Sequence, residues 1–200
     1  DGITTMEIDR LASETAASMS TIHPDYSLLA GRIAISSLHK VTEKKFGAYV
    51  EKTQKFKCNK TGSKTTLLSS KIYGLLKKYP RKINSMIVDD RDFNFDFFGY
   101  KTLERSYLLK ANDEIIERPQ YMYMRIALGI WGDNMEMVQK TYDLLSQGYF
   151  THATPTLFNA GTKRNQLASC FLLGNKGDSI EGLFETLKDV AHISKWAGGI

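Results

Sequence analysis

The sequence predicts an α+β protein, mainly α-helical through its first 150 residues and ending in a strand–turn–helix unit. Three observations carry this. Apolar residues recur at helical spacing in most segments up to Leu145, with capping residues and prolines at their ends. Leu167-Ala168-Ser169-Cys170-Phe171-Leu172-Leu173 is instead a near-continuous apolar run of strand length, the pattern of a strand buried on both faces of a parallel sheet. No regular alternation of strand and helix links the two regions.

The elements follow in order. Thr4 and Glu7 make a capping box, after which Ile8, Leu11, Ala12, Thr15 and Met19 fall on one helical face. His23-Pro24-Asp25 breaks that helix and opens a second, with Pro24 suited to the first turn and Leu28, Leu29, Ile33, Ile35 and Leu38 as its apolar residues. Phe46, Tyr49 and Val50 predict a third helix, and Cys58-Asn59-Lys60-Thr61-Gly62-Ser63 a loop. Leu68, Ile72, Leu75, Leu76 and Tyr79 predict a fourth helix that Pro80 stops. Phe93, Phe95 and Phe97 alternate with Asn94 and Asp96, which favours a short strand or extended segment. Helical patterning resumes over residues 103–109 and again, after Pro119, in Met122, Ile126 and Ile130. Asp133 with Glu136 offers a cap ahead of Met137, Tyr142 and Leu145. Residues 151–162 are rich in small and turn-forming types around Pro155. After the apolar run, Gly174-Asn175-Lys176-Gly177 turns into a helix that Asp178 and Glu181 would cap, with Leu183, Phe184, Leu187 and Val190 on one face.

Composition bounds the function. The 200 residues are 42% hydrophobic and 24% charged, which is globular rather than disordered or fibrous and allows one ordinary domain or two small ones. No apolar run approaches the roughly 18 residues of a membrane span. The chain opens on Asp1 without a basic-then-apolar leader, so we expect no secretory signal and a piece of something longer. Two cysteines, Cys58 and Cys170, exclude a disulfide framework and a four-cysteine zinc site and predict a reducing, cytoplasmic setting. The net charge of +5 is uneven: residues 40–82 hold 13 basic residues against Glu43 and Glu51. Such a block can attract nucleic acid or phosphate, but its basic residues alternate with apolar ones as on an ordinary solvated helix face.

Cys170 is the residue with the most chemical potential. A thiol beside Ser169 can serve redox or radical chemistry, while the local pattern alone favours a buried cysteine acting as a small hydrophobe. Cys58 lies in a basic loop, and nothing in the sequence supports a bridge to Cys170. The start of the last helix could hold a phosphate, but residues 174–178 match neither a Walker A loop nor a dinucleotide fingerprint, so a plain cap is the local expectation. His23, His39, His152 and His192 are scattered, without metal-ligand spacing, and His192 is expected at the surface or an interface.

Seven stretches together resemble one known family. They are His23-Pro24-Asp25-Tyr26, Phe98-Gly99-Tyr100-Lys101-Thr102-Leu103-Glu104-Arg105-Ser106-Tyr107-Leu108-Leu109, Glu117-Arg118-Pro119-Gln120, Thr151-His152-Ala153-Thr154-Pro155-Thr156-Leu157-Phe158-Asn159-Ala160-Gly161-Thr162, Ser169-Cys170-Phe171-Leu172-Leu173, Asp178-Ser179-Ile180-Glu181-Gly182 and Ala197-Gly198-Gly199-Ile200. The chain resembles the large catalytic subunit of eukaryotic-type class I ribonucleotide reductases over essentially its whole length, most weakly between residues 53 and 82.

That resemblance implies reduction of ribonucleoside diphosphates by thiol and radical chemistry. It makes Cys170 one of two thiols that end as a disulfide, and Thr154, Ser169 and, more weakly, Gly198 substrate contacts. Asp178, Ser179, Ile180 and Lys195 match the allosteric specificity site for deoxynucleoside triphosphates or ATP, near the dimer contact. Thr5 and Asp9 match nucleotide contacts of the ATP cone, where ATP activates and dATP inhibits. By the same resemblance, residues 1–42 are the later part of that cone, 43–150 a helical domain, and 151–200 the first part of a ten-stranded α/β barrel. The implied partners are a metal-containing small subunit that supplies the radical, thioredoxin or glutaredoxin as reductant, and a second copy in a homodimer or higher oligomer. Neither nucleic acid nor membrane is implied. Cys58 has no counterpart among the family's functional cysteines, and the thiyl-forming cysteine, the second redox cysteine and the carboxy-terminal pair are expected outside this chain. The fragment alone is therefore expected to lack turnover. The alternatives are a non-catalytic nucleotide-binding and dimerisation module, or a nucleic-acid binder using residues 40–82.

Overall fold

The computed structural model describes residues 2–59 and 62–200; Asp1 and the Lys60-Thr61 part of the expected loop lie outside the described residues. The expected helices form, joined by short connections. Helix α1 (Thr5–Ser18) carries the complete capping box: Thr4 Oγ1 accepts from the Glu7 amide at 3.2 Å, and the Glu7 carboxylate accepts from the Thr4 amide at 2.8 Å. Its buried face corrects the expected one. Ser13 and Ala16 are buried, whereas Ile8 and Leu11 are exposed. The helix lies against α2 (Asp25–Val41) through small buried residues of its own, Ser13 and Ala16, while Gly31 on α2 is pressed against the backbone of residues 95–97. Leu28 and Leu29 of α2 are exposed as well.

Helix α3 (Phe46–Gln54) buries Phe46, Tyr49 and Val50 as expected. Helix α4 (Ser70–Lys78) ends before Pro80, but the proline then opens α5 (Pro80–Met86), because a first helical residue needs no amide hydrogen. The phenylalanine alternation is not a strand. Residues Asp89–Asn94 form a 3-10 turn, and α6 (Phe97–Ser106) begins at the third ring. The cause is Asp92, which is fully buried and accepts from the Gln120 amide at 3.1 Å while bonding His39 Nε2 at 2.7 Å. That anchor coils the backbone, and the three rings still turn toward the core.

A hairpin of β1 (Lys110–Ala111) and β2 (Glu114–Ile115) follows, turning through Asn112 and Asp113 at positive φ. Helix α7 (Pro119–Trp131) is the centre of the core, with every residue from Pro119 to Leu128 buried. It packs against α8 (Met135–Ser146), which is capped by Asn134 rather than Asp133. The expected turn region around Pro155 contains a short helix, α9 (Thr154–Asn159).

The final 30 residues depart most from expectation. The run at residues 167–173 is not a buried strand, and no strand of a barrel is formed in residues 151–200. It makes one isolated parallel bridge, Cys170 to Gly199, and Leu172 is fully exposed. A parallel strand is buried only when neighbours flank it and helices cover its faces; here it meets one residue of one segment. Helix α10 (Ile180–Ser194) is capped by Ser179, one residue after Asp178. Its apolar face is real but uncovered: Leu183, Phe184 and Leu187 are 54%, 66% and 57% exposed. No helix among the described residues is long and apolar enough to cross a membrane.

Candidate functional site

The site is anchored by a buried ion pair in the core. Arg125, in the middle of α7, and Glu117 have fully buried side chains. Arg125 Nε and Nη2 donate to the two Glu117 oxygens at 2.7 and 3.0 Å. Its Nη1 and Nη2 also donate to the carbonyls of Ala160 and Leu157, at 2.7 and 3.1 Å. Those carbonyls belong to the C-cap and the last turn of α9, where no amide within the helix can satisfy them and a cation is favoured. Glu117 further accepts from Tyr49 Oη at 2.6 Å and from the Leu109 amide at 3.0 Å. Burial lowers the basicity of Arg125, but the adjoining carboxylate outweighs that and raises its pKa; burial and the same carboxylate push Tyr49 well above its ordinary value. Helix α7 also meets the end of α9 closely. A Cβ on Gly129 would stand 2.3 Å from the Gly161 amide, so only glycine fits.

Helix α9, thus fixed, holds two further segments. Thr156 Oγ1 donates to the Leu167 carbonyl at 3.1 Å. Asn159 Nδ2 donates to both Gln166 and Trp196 carbonyls, at 2.9 and 3.2 Å. The Arg164 guanidinium stacks on the Trp196 ring at 3.8 Å. Just beyond these ties the segments pair: the Phe171 amide donates to Gly199 at 2.9 Å, and the Gly199 amide to Ser169 at 2.7 Å. Ser169, Cys170 and Gly198 are thereby brought together. Gly198 is buried against Phe171, where a Cβ would stand 2.8 Å from the ring. Cys170 is exposed, which corrects the expectation of a thiol serving as core hydrophobe, and it is not bridged to Cys58.

Thr154 occupies the opposite end of α9 from Asn159. Its hydroxyl is 3.2 Å from Tyr107 Oη, and no hydrogen bond joins it to Ser169 or Cys170 among the described residues. Asp178 and Ile180 are exposed on either side of Ser179, whose Oγ accepts from the Gly182 amide at 3.1 Å. Lys195 is the C-cap of the same helix. At 1.5 Å per residue the two ends of α10 stand about 22 Å apart, so the structure does not bring Lys195 to the Asp178–Ile180 group within one chain. Thr5 and Asp9 share a face of α1 at i,i+4 spacing; Thr5 is exposed, and Asp9 pairs with Lys40 Nζ at 2.6 Å. In the basic block, Lys52 pairs with Glu43 and Lys78 with Asp133, while Lys77 and Lys78 lie over Tyr73 and Tyr79.

Local pattern did not single out Asn159, Arg125 or Glu117 as supports of the site. Glu117 and Asn159 entered only as members of stretches that carry the resemblance, residues 117–120 and 151–162, and Arg125 lies in none of those stretches.

Comparison with known proteins agrees with the resemblance. Residues 93–165 match the family described as ribonucleotide reductase, all-alpha domain. The chain is 55% identical over 199 residues to a ribonucleoside-diphosphate reductase large chain of Schizosaccharomyces pombe, covering all of this chain and 24% of the relative. It is 53% identical over 199 residues to a large subunit of Caenorhabditis elegans, again over the whole chain and 25% of the relative. The large subunit of Vaccinia virus is 52% identical over 200 residues, with 26% of it covered. The chain spans about a quarter of the length of these curated relatives.

Proposed function

This chain is related over its whole length to the large subunits of ribonucleoside-diphosphate reductases, and from that premise we propose that it supplies one redox thiol and two nucleotide-binding segments of such an enzyme. The observation that carries this is the placement of Cys170: an exposed thiol next to Ser169, on a segment that pairs with Gly199 beside the buried Gly198.

In this reading the substrate is a ribonucleoside diphosphate. Cys170 and a second thiol, from outside this chain, give up two electrons and two protons. The ribose 2′-hydroxyl leaves as water, a C–H bond takes its place, and the thiols join as a disulfide. An external dithiol of the thioredoxin or glutaredoxin type restores them by exchange. The radical that permits the step comes from a metal-containing small subunit. Ser169 and Thr154 offer hydroxyls to the substrate, and Gly198 lets it approach the backbone. Polypeptide outside this chain closes the pocket, so this chain alone has no turnover.

Asp178, Ser179 and Ile180 at the start of α10, with Lys195 at its end, are assigned to an effector nucleotide. Ends about 22 Å apart cannot both reach one nucleotide from one helix. Pairing α10 with its copy in a second chain, head to tail, sets Lys195 of one beside Ser179 of the other and covers Leu183, Phe184 and Leu187. The reading therefore includes a homodimer. Thr5 and Asp9 are assigned to an ATP-cone contact, and the setting is the cytoplasm. A second reading, a non-catalytic nucleotide-binding and dimerisation module, fits the chain taken alone, because the uncovered α10 face and the Ser179 cap need no redox chemistry.

The test is peptide mapping, after one turnover without external reductant, of the full-length subunit with its carboxy-terminal cysteine pair replaced by serine, so that no internal exchange can re-reduce the site. Cys170 is expected in a disulfide; recovery of Cys170 as a thiol after product has formed would refute the assignment.

A further inference from the structure

We propose that Asn159 is a positioning residue for the Cys170 thiol, holding in one register the two segments that pair at Cys170 and Gly199. The inference rests on the redox assignment of Cys170 for its functional consequence, but on geometry for its substance.

The pairing itself is too slight to define a register. It consists of two backbone hydrogen bonds around a single bridge, in a run where Ser169, Cys170 and Leu172 are all exposed. Side chains alternate faces along an extended segment, so a slip of one residue replaces Cys170 by Ser169 or Phe171 on the working face. Ordinarily burial of an apolar face forbids such slips; here it is limited to the half-buried Phe171 ring, which packs with Ile193 against Gly198. A tie outside the pair therefore supplies register that this contact leaves weak.

Among the described residues, Asn159 is the side chain that donates to both segments. Its planar amide offers two diverging N–H groups, one to Gln166 and one to Trp196, each three to four residues before the pairing point. The backbone of Asn159 is fixed in turn: its carbonyl accepts from the Thr162 amide and hydroxyl, and the flanking Leu157 and Ala160 carbonyls are held by Arg125. A rigid path thus runs from the core ion pair through α9 to the thiol. Thr156 adds a tie to the 167 side alone.

The test uses the full-length subunit. Asn159→Asp turns both donors into acceptors facing carbonyls and cuts both ties. We expect kcat to fall about 100-fold, the scale of a misplacement near 1 Å, while KM for the diphosphate and affinity for effector nucleotide stay within about threefold. The rate at which iodoacetamide alkylates Cys170, read by mass spectrometry, changes in the same variant without any turnover. Asn159→Ala removes both donors without adding a charge and is expected to show the same loss in kcat and the same altered alkylation; it serves where Asn159→Asp does not fold. Normal kcat with unchanged alkylation in these variants overturns the proposal, as does a loss matched by equal losses in substrate and effector binding. Cys170→Ser run in parallel separates the readings: if it keeps full turnover, the redox assignment fails, and an altered alkylation rate in Asn159→Asp still upholds the register tie.

Discussion

Arg125 and Glu117 face each other as a two-point pair in which no oxygen or nitrogen reaches solvent, at 2.7 and 3.0 Å. Four further hydrogen bonds, to Tyr49, Leu109, Leu157 and Ala160, hold it in place. Removing one member leaves the other as an uncompensated buried charge or donor. Glu117→Gln is expected to cost about 3–5 kcal/mol of stability, measured by urea unfolding. A loss under about 1 kcal/mol would mean that water reaches Arg125 and that α9 is not anchored through it.

The cap of α10 can be assigned by paired substitutions. Ser179→Ala is expected to cost about 1 kcal/mol and to speed hydrogen exchange at the Gly182 amide. Asp178→Ala leaves that amide protected, since Asp178 does not cap. The reverse pattern would restore Asp178 as the capping residue.

His152 gives a pH signature. Burial lowers its pKa below the ordinary 6.5, and Nε2 is buried without a hydrogen-bond partner among the described residues. The unfolded chain therefore binds a proton more readily than the fold does. Its contribution to stability is complete above pH 6.5 and declines as pH falls through the folded-state value. Unfolding midpoints at pH 7.5 and 5.0 should differ less in His152→Asn than in the parent; an identical pH dependence would contradict this.

Close approach at the end of α9 is also testable. Gly161 has φ +76°, and a Cβ there would stand 2.4 Å from Ile72 Cδ1. Gly161→Ala should cost about 2–5 kcal/mol by strain and overpacking. Gly174, with nothing within 4 Å of its Cβ position, should accept alanine with little change. Equal melting temperatures for the two variants would show that α7 and α9 are not so closely packed.

Local physics made the interior helices readable because their apolar spacing and their burial coincide, as at Phe46, Tyr49 and Val50 in α3 or Ile72, Leu75 and Leu76 in α4. It misplaced faces where small residues carry the packing: α1 buries Ser13 and Ala16 instead of Ile8 and Leu11. It read Phe93, Phe95 and Phe97 as extended because alternation of burial survives in a 3-10 turn, and the turn itself is imposed by Asp92 bonding residues 53 and 28 positions away. It placed Asp178 and Asp133 one residue early as caps, since neighbouring Ser179 and Asn134 are equally competent acceptors. At the candidate site, Ser169, Cys170 and Gly198 were legible as a resemblance, and their meeting depends on long-range ties from Asn159 that no local pattern encodes. Apolar residues at 172, 183, 184 and 187 signalled burial that this chain does not itself supply.

In the proposed reading Cys170 delivers reducing equivalents to a nucleotide sugar. The decisive measurement is multiple-turnover reduction of a ribonucleoside diphosphate by the full-length Cys170→Ser subunit, with small subunit, effector and dithiol present. Sustained product formation should vanish while substrate binding and thermal stability persist; turnover close to the parent rate would rule out a reducing role for this thiol.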